Sequence, residues 1–244
     1  MTKMYETPNH LLIHTGYANP LEHCHRAAHI IISLEDNMNI TVDSKTYQSQ
    51  GIIIPTGIPH KIDTKGKSVL VFLYDSTTNV AMQIHNVRKL ANAACAKILD
   101  LYFQFQAENS LHSYNKFEQY CLSQIGIKEI NCCIQDERIS LALKYISSNF
   151  SKKITCQEVA NSVFLSQGRF SHLFKEQTGM TFASYLIYQR SMYVYKKILL
   201  GKSITEAALE AGFSSSTHFA DVNRRIFGLS ARHITQDLIF SKIQ

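Results

Sequence analysis

Apolar side chains recur at helical spacing in the last hundred residues of the chain, and the pattern occurs twice. Each copy has a short helix with small residues at its centre, a turn containing serine, and a second helix with apolar residues at i, i+3 and i+4. The first copy runs from Glu158 to Gly179 and the second from Glu206 to Gly228. The offset between them is 48 residues before the turn and 49 after it, so the second turn holds one extra residue. The pattern predicts two consecutive helix-turn-helix units.

Polar residues and glycines at the ends of these helices support the same boundaries. The S/T-x-x-E motif predicts a capping box at the start of each unit, serine caps each second helix, and glycine closes it. Residues 181–200, between the copies, predict one long helix that holds the units at a fixed separation. The predicted capping residues are Thr155 with Glu158, Ser166, Gly179, Ser203 with Glu206, Ser214 and Gly228.

Short apolar runs with many β-branched residues fill the first third of the chain, and turn-forming residues separate them. Such spacing predicts several short strands folded as a small barrel or jelly roll. The predicted strands cover residues 28–33, 38–42, 46–49, 51–55 and 68–74.

Residues 77 to about 130 carry apolar side chains at three- and four-residue steps, which predicts helices. Their apolar stripe is too wide for one surface helix, so it packs either on the β-rich part or on a second copy of the chain. These two alternatives, an intramolecular layer and a homodimer interface, stay open. Residues 123–135 predict the linker that follows. The stripe consists of Val87, Leu90, Ala91, Ala94, Ile98, Leu101 and Tyr102.

Composition and charge favour two domains and a polyanionic partner. A chain of 244 residues with 45% hydrophobic content can bury a core in each of two domains. Neither a signal peptide nor an apolar run of membrane-spanning length is evident, which predicts a cytoplasmic protein with no membrane partner. The six cysteines follow no disulfide or metal-binding spacing and are expected to be free thiols. Residues 1–135 hold 11 basic and 11 acidic side chains, whereas residues 136–244 hold 14 and 8, as expected for a part that binds double-stranded DNA.

The outward faces of the two second helices are the candidate DNA contacts, because their apolar faces must be buried. In the first, polar side chains can bond base edges, Lys175 contacts a phosphate, and Arg169 reaches either a base or the backbone. In the second, Arg224 and Arg225 anchor phosphates, so the first helix carries most of the sequence specificity. The full set is Gln167, Gly168, Arg169, Ser171, His172, Lys175, Ser216, Thr217, Asp221, Arg224 and Arg225.

These motifs resemble the AraC/XylS family of bacterial transcription regulators. The resemblance rests on residues 164–179, on Arg190 and on residues 211–228, and it covers about residues 136–240. It implies a seven-helix module whose two recognition helices enter adjacent major-groove segments roughly 34 Å apart. It also favours activation of transcription, with RNA polymerase as a partner.

The second unit departs from the family pattern in two places. Asn223 stands where the family usually has a buried phenylalanine, and residues 229–231 lack the proline that usually follows the second glycine. The packing of the second unit is therefore expected to differ from that of the first.

Histidines in the β-rich part resemble the two signatures of the cupin fold. Gly51 followed by residues 55–60 looks like the second signature, and residues 23–29 look like the first. Many AraC-type regulators have such a half that binds a small effector, which makes these histidines candidate effector ligands. Imidazole nitrogens also bind divalent transition metals such as Zn²⁺, so either metal binding or a metal-free ligand pocket is open. The four histidines are His23, His25, His29 and His60.

Together these features predict an α+β fold with two domains. Residues 1–76 form a cupin-like β-barrel that senses the effector, residues 77–135 a helical connector, and residues 136–244 an all-α domain with two helix-turn-helix units. We interpret the protein as a transcription regulator, not an enzyme, in which a small-molecule effector shifts the arrangement of the halves or of two subunits. The alternatives are a metal-dependent cupin enzyme fused to a DNA-binding module and a non-specific architectural DNA binder.

Overall fold

The computed structural model describes residues 2–7, 10–16, 22, 24, 27–64, 66–127, 134–227 and 238–242. The strands are β1 (Thr2–Glu6), β2 (Leu11–Gly16), β3 (Ala28–Ser33), β4 (Met38–Val42), β5 (Lys45–Ser49), β6 (Gly51–Ile54), β7 (His60–Asp63), β8 (Ser68–Tyr74), β9 (Arg88–Leu90) and β10 (Leu238–Lys242). The helices are α1 (Asn92–Glu108), α2 (Leu111–Gln124), α3 (Glu137–Asn149), α4 (Cys156–Ser162), α5 (Gln167–Thr178), α6 (Phe182–Leu199), α7 (Ile204–Glu210) and α8 (Ser216–Phe227).

The β-rich part consists of two open sheets. The larger has the strand order β10-β1-β2-β8-β3-β6-β9, and the smaller has the order β5-β4-β7. The strands predicted from the sequence correspond to β3, β4, β5, β6 and β8. The expected closed barrel is not confirmed, because within the described residues the larger sheet ends at β9 on one side and at β10 on the other.

Alternation along the strands explains why the larger sheet is buried on both faces. Successive side chains of a strand point to opposite faces. Ile31 of β3 belongs to the core shared with Ile40 and Ile62 of the smaller sheet. Ile30 and Phe72, on the opposite face, pack under α1 and α2.

Helices α1 and α2 cover that outer face. Five of the seven stripe residues are buried within the chain, whereas Val87 is half-buried and Ala91 is exposed. Ile98, Tyr102 and Phe105 of α1 and Phe117 of α2 belong to the same core as the strands. The predicted helix begins later than expected, because residues 88–90 pair with β6 as the edge strand β9. The intramolecular alternative for the stripe is therefore observed.

The C-terminal part is helical from α3 to α8, and the segment that follows α3 packs directly against the second helix-turn-helix unit. At Gly212, which has a φ of +87°, a Cβ atom would lie 2.4 Å from the backbone oxygen of Ser151. Ser151 follows α3 and Gly212 follows α7, so the backbone of the α3–α4 loop lies against the backbone of the second unit's turn. The prediction of an all-α C-terminal part needs one correction, because β10 pairs in parallel with β1 of the larger sheet.

Tyr188 joins the two parts of the protein. This side chain of α6 is 4% exposed. Its hydroxyl group lies 2.7 Å from the backbone oxygen of His10 and 2.8 Å from that of Thr7, and it accepts the Thr7 N–H at 3.3 Å. The connecting helix of the C-terminal part is thus bonded to the turn between β1 and β2.

Behind this turn lies a cluster of buried polar rings around His10. The His10 ring stacks on Tyr74 with centroids 4.6 Å apart and is hydrogen-bonded to the hydroxyl group of Tyr114. Its Nδ1 atom lies 3.5 Å from Oε1 of Glu118, which also accepts a 3.0 Å hydrogen bond from Tyr74. Burial disfavours charge, so it lowers the pKa of His10 to about 3 and raises the pKa of Glu118 to about 7.

Cys24, Cys95, Cys121 and Cys156 are free thiols, as the sequence predicts, and the other two cysteines lie outside the described residues. Among the described helices, none is both long and apolar enough to span a membrane.

Candidate nucleic-acid interface

The first helix-turn-helix unit comprises α4, the turn at residues 163–166, and α5. Its capping box is complete, because the Thr155 hydroxyl accepts the Glu158 N–H at 3.2 Å and the Glu158 carboxylate accepts the Thr155 N–H at 2.6 Å. The Ser166 hydroxyl accepts the Arg169 N–H at 3.3 Å, and Gly179 ends α5 with a φ of +74°. The predicted caps of this unit are confirmed.

Helix α5 presents one apolar and one polar face, as predicted. Phe170, Leu173 and Phe174 are buried. The outward positions predicted to contact DNA are exposed, with the exception of the half-buried Lys175. The exposed members are Gln167, Gly168, Arg169, Ser171 and His172.

Two side chains of this face have neighbours that the sequence does not predict. The Lys175 ammonium lies 3.2 Å from the sulfur of Met82, in the segment before β9. The His172 ring is 74% exposed, and its Nδ1 atom is 3.7 Å from a carboxylate oxygen of Glu176 one turn later. The imidazole is therefore held towards solvent, next to an acidic group.

The second unit repeats this construction with α7 and α8. The Ser203 hydroxyl accepts the Glu206 N–H at 3.2 Å and the Glu206 carboxylate accepts the Ser203 N–H at 3.1 Å, which confirms the second capping box. The prediction that Ser214 caps α8 is wrong. The extra residue of this turn brings Ser215 into the capping position, where its hydroxyl accepts the His218 N–H at 3.0 Å.

Helix α8 also separates buried from exposed residues. Phe219 and Val222 are buried as predicted, and Asn223 is fully buried beside them. The helix closure predicted at Gly228 and the departure at residues 229–231 lie outside the described residues. The candidate contacts are exposed at Thr217, Asp221, Arg224 and Arg225 and half-buried at Ser216.

Comparison with known proteins agrees with this geometry. A family model described as a helix-turn-helix domain matches residues 159–237. LumQ of Photobacterium leiognathi is 34% identical over 98 residues, which are 38% of this chain and 39% of LumQ. The transcriptional activator RhaS of Klebsiella pneumoniae is 33% identical over 102 residues, 41% of this chain and 37% of RhaS. The chain carries an AraC/XylS-type DNA-binding domain.

The sequence matches and the structural match differ in how much of the chain they cover. The chain spans less than half the length of LumQ and of RhaS. ToxT of Vibrio cholerae has the same fold over 96% of this chain and 96% of its own, with a TM-score of 0.51 and 12% identity. LumQ is described as a probable transcriptional regulator and RhaS as a transcriptional activator, and the enzymatic and architectural alternatives are not favoured.

Two residues of the AraC/XylS-type domain were missed by the sequence reasoning. His218 is exposed on α8 and occupies the position of Arg169, as the offset of 49 residues would have shown. Its Nδ1 atom lies 2.9 Å from the Ser214 hydroxyl. Glu176 is exposed on α5, and its spacing of four residues from His172 was the available signal.

The candidate effector histidines lie outside the AraC/XylS-type domain, and the structure brings two of the four together. The buried rings of His29 on β3 and His60 on β7 have centroids 4.8 Å apart in an edge-to-face arrangement. His60 Nδ1 donates to the backbone oxygen of Ile58 at 2.8 Å. His23 and His25 lie outside the described residues. The described part of the chain holds no group of three or more His, Cys, Asp or Glu side chains arranged for a metal ion.

Proposed function

We propose that this protein is a sequence-specific transcription regulator that activates transcription in response to a small effector. The observation that carries the proposal is the pair of capped helix-turn-helix units built on one connecting helix. Leu186 of α6 belongs to the core of the first unit, and Val194 of α6 belongs to the core of the second. Such a helix keeps two recognition helices at a constant separation, as successive major-groove segments roughly 34 Å apart require.

The two recognition helices have different roles in this proposal. The exposed face of α5 offers amide, hydroxyl and imidazole groups, which can bond base edges. The exposed face of α8 ends in Arg224 and Arg225, which suit phosphates. Helix α5 therefore reads most of the sequence, while α8 adds affinity and fixes the register on double-stranded DNA.

The N-terminal part is proposed to bind the effector and to pass its effect to the DNA-binding part. His29 and His60 are proposed to line the effector site, together with His23 and His25. The hydrogen bonds of Tyr188 to the β1–β2 turn supply a contact that can differ between two states. RNA polymerase and a second copy of the chain are the further proposed partners.

The test is to enrich random and genomic duplexes on the full-length protein at near-physiological salt and to footprint the survivors. The expected result is one motif that is protected over two successive major-groove segments. Equal binding of all sequences, by the full chain and by residues 136–244 alone, would overturn the proposal. If residues 136–244 enrich a motif and the full chain does not, the result would support DNA recognition and show that the full chain needs its effector first.

A further inference from the structure

Asn223 is a polar side chain that is buried beside apolar core residues of the second unit. It is fully buried on α8, and its neighbours on the inner face, Phe219 and Val222, belong to an apolar core. The offset of 49 residues places Phe174 at the same position of the first unit. Burying an amide removes its hydration, so the amide needs a hydrogen-bond partner inside the core.

Tyr195 of α6 supplies that partner. It is also fully buried, and its hydroxyl group donates to Oδ1 of Asn223. The Tyr195 ring packs edge-to-face against Phe219, with centroids 6.0 Å apart and an interplanar angle of 69°. Because Phe219 and Asn223 are four residues apart, one side chain of α6 contacts two successive turns of α8.

The corresponding contact in the first unit is made by rings alone. Phe174 packs edge-to-face against Phe182 and Tyr185, with centroids 6.3 and 5.4 Å apart. Apolar rings tolerate a small rotation of the helix, whereas a hydrogen bond weakens steeply when its angle changes. Each residue of an α-helix advances about 100° around the axis, so fixing position 223 also fixes positions 217, 221 and 224.

We infer that Tyr195 is a positioning residue for the second recognition helix. Its buried bond to Asn223 sets the rotation of α8, and thereby the approach of Thr217, Asp221 and Arg224 to the second major-groove segment. Buried polar pairs can specify geometry while adding little stability. The inference rests on the proposed function, because it concerns DNA contacts that the proposal assigns to α8.

The test removes both polar groups at once, in the full-length double variant Tyr195→Phe/Asn223→Leu. Neither group is then left buried without a partner, so the double variant is expected to melt no lower than the parent. The matched control is Tyr193→Phe, which removes a hydroxyl group of the same helix that bonds Glu210 at the surface at 3.3 Å. Each protein is footprinted on the enriched motif and titrated with motifs altered in either segment, at a temperature where all are folded.

The expected result is unchanged protection and discrimination at the first segment, with about a tenfold loss of discrimination at the second. The control should match the parent. Parent-like discrimination by the double variant at both segments, or equal loss at both, would overturn the inference. If the double variant does not fold, Tyr195→Phe alone is compared in the same way. Failure of the proposed function looks different, because the parent itself would then protect no motif.

Discussion

Gly212 is the position where one added methyl group should disturb the contact between the α3–α4 loop and the second helix-turn-helix unit. Its φ of +87° lies in the left-handed region, which favours glycine. An added Cβ atom would also lie 2.4 Å from the Ser151 oxygen and 3.0 Å from its carbonyl carbon. Both atoms belong to the backbone, so no flexible side chain can move aside. We therefore expect Gly212→Ala to push the second unit away from the α3–α4 loop.

The magnitude follows from two separate costs. The left-handed conformation costs a non-glycine residue roughly 1–2 kcal/mol. Forcing an extra carbon atom into a packed contact costs typically about 1–3 kcal/mol. The free energy of unfolding of Gly212→Ala should therefore be lower than that of the parent by ~2–5 kcal/mol.

Phe164 provides a matched control, because the 48-residue offset relates it to Gly212. Its φ is also positive, at +57°, but its side chain is 96% exposed. Phe164→Gly relieves the strained conformation while adding freedom to the unfolded chain, so its stability should stay within about 0.5 kcal/mol of the parent. Urea unfolding followed by circular dichroism measures both variants. If Gly212→Ala unfolded at the urea concentration of the parent, the Ser151 contact would not be the reason for glycine at this position.

Three further predictions concern the buried polar cluster around His10, the DNA contacts of α5 and the connection between the two parts of the protein. Because the folded pKa of Glu118 is raised to about 7, its contribution to stability is present below about pH 4.5 and is lost as the pH rises through 7. The free energy of unfolding of Glu118→Gln, measured in urea, should therefore rise by ~1–2 kcal/mol relative to that of the parent between pH 5 and pH 8. This figure is discounted because a fifth of the Glu118 side chain stays exposed. A difference between the two proteins that does not change with pH would contradict this. His172→Ala should reduce discrimination between the enriched motif and random DNA about fivefold, whereas Lys175→Ala should weaken binding to both DNAs alike and lower the salt slope by about 1. Filter binding at several salt concentrations separates these outcomes, and the division of roles would be refuted if His172→Ala, like Lys175→Ala, weakened binding to both DNAs equally. Tyr188→Phe should lower the free energy of unfolding by ~1–2 kcal/mol and speed limited proteolysis between the two parts, and an unchanged cleavage rate would argue against Tyr188 as their connection.

The features that the sequence predicted well depend on residues close together in the chain. The capping boxes at Thr155 and Ser203 follow from a four-residue motif, and the buried faces of α5 and α8 follow from helical spacing. The repeat itself identified the two units. The one capping error, at Ser214, arose because the position of the extra residue within the second turn depends on packing.

The features that were missed depend on distant residues. The sequence showed that Asn223 breaks the family pattern, but its partner Tyr195 lies 28 residues away and looks like any buried aromatic side chain. The open sheet was missed for the same reason, since the strand that extends it at β1 comes from residues 238–242. The proposed roles of individual DNA and effector contacts remain predictions.

The parallel pairing of β10 with β1 also bears on how the protein is made on the ribosome. Thr2 pairs with Leu238, so the outer edge of β1 stays unpaired until residues 236 positions later in the chain have been synthesised. At roughly 5–20 residues per second this interval lasts on the order of 10–50 s. During that time β1 presents unpaired backbone groups to other nascent chains. The larger sheet and the DNA-binding part are therefore completed together, once residues 238–242 have been synthesised.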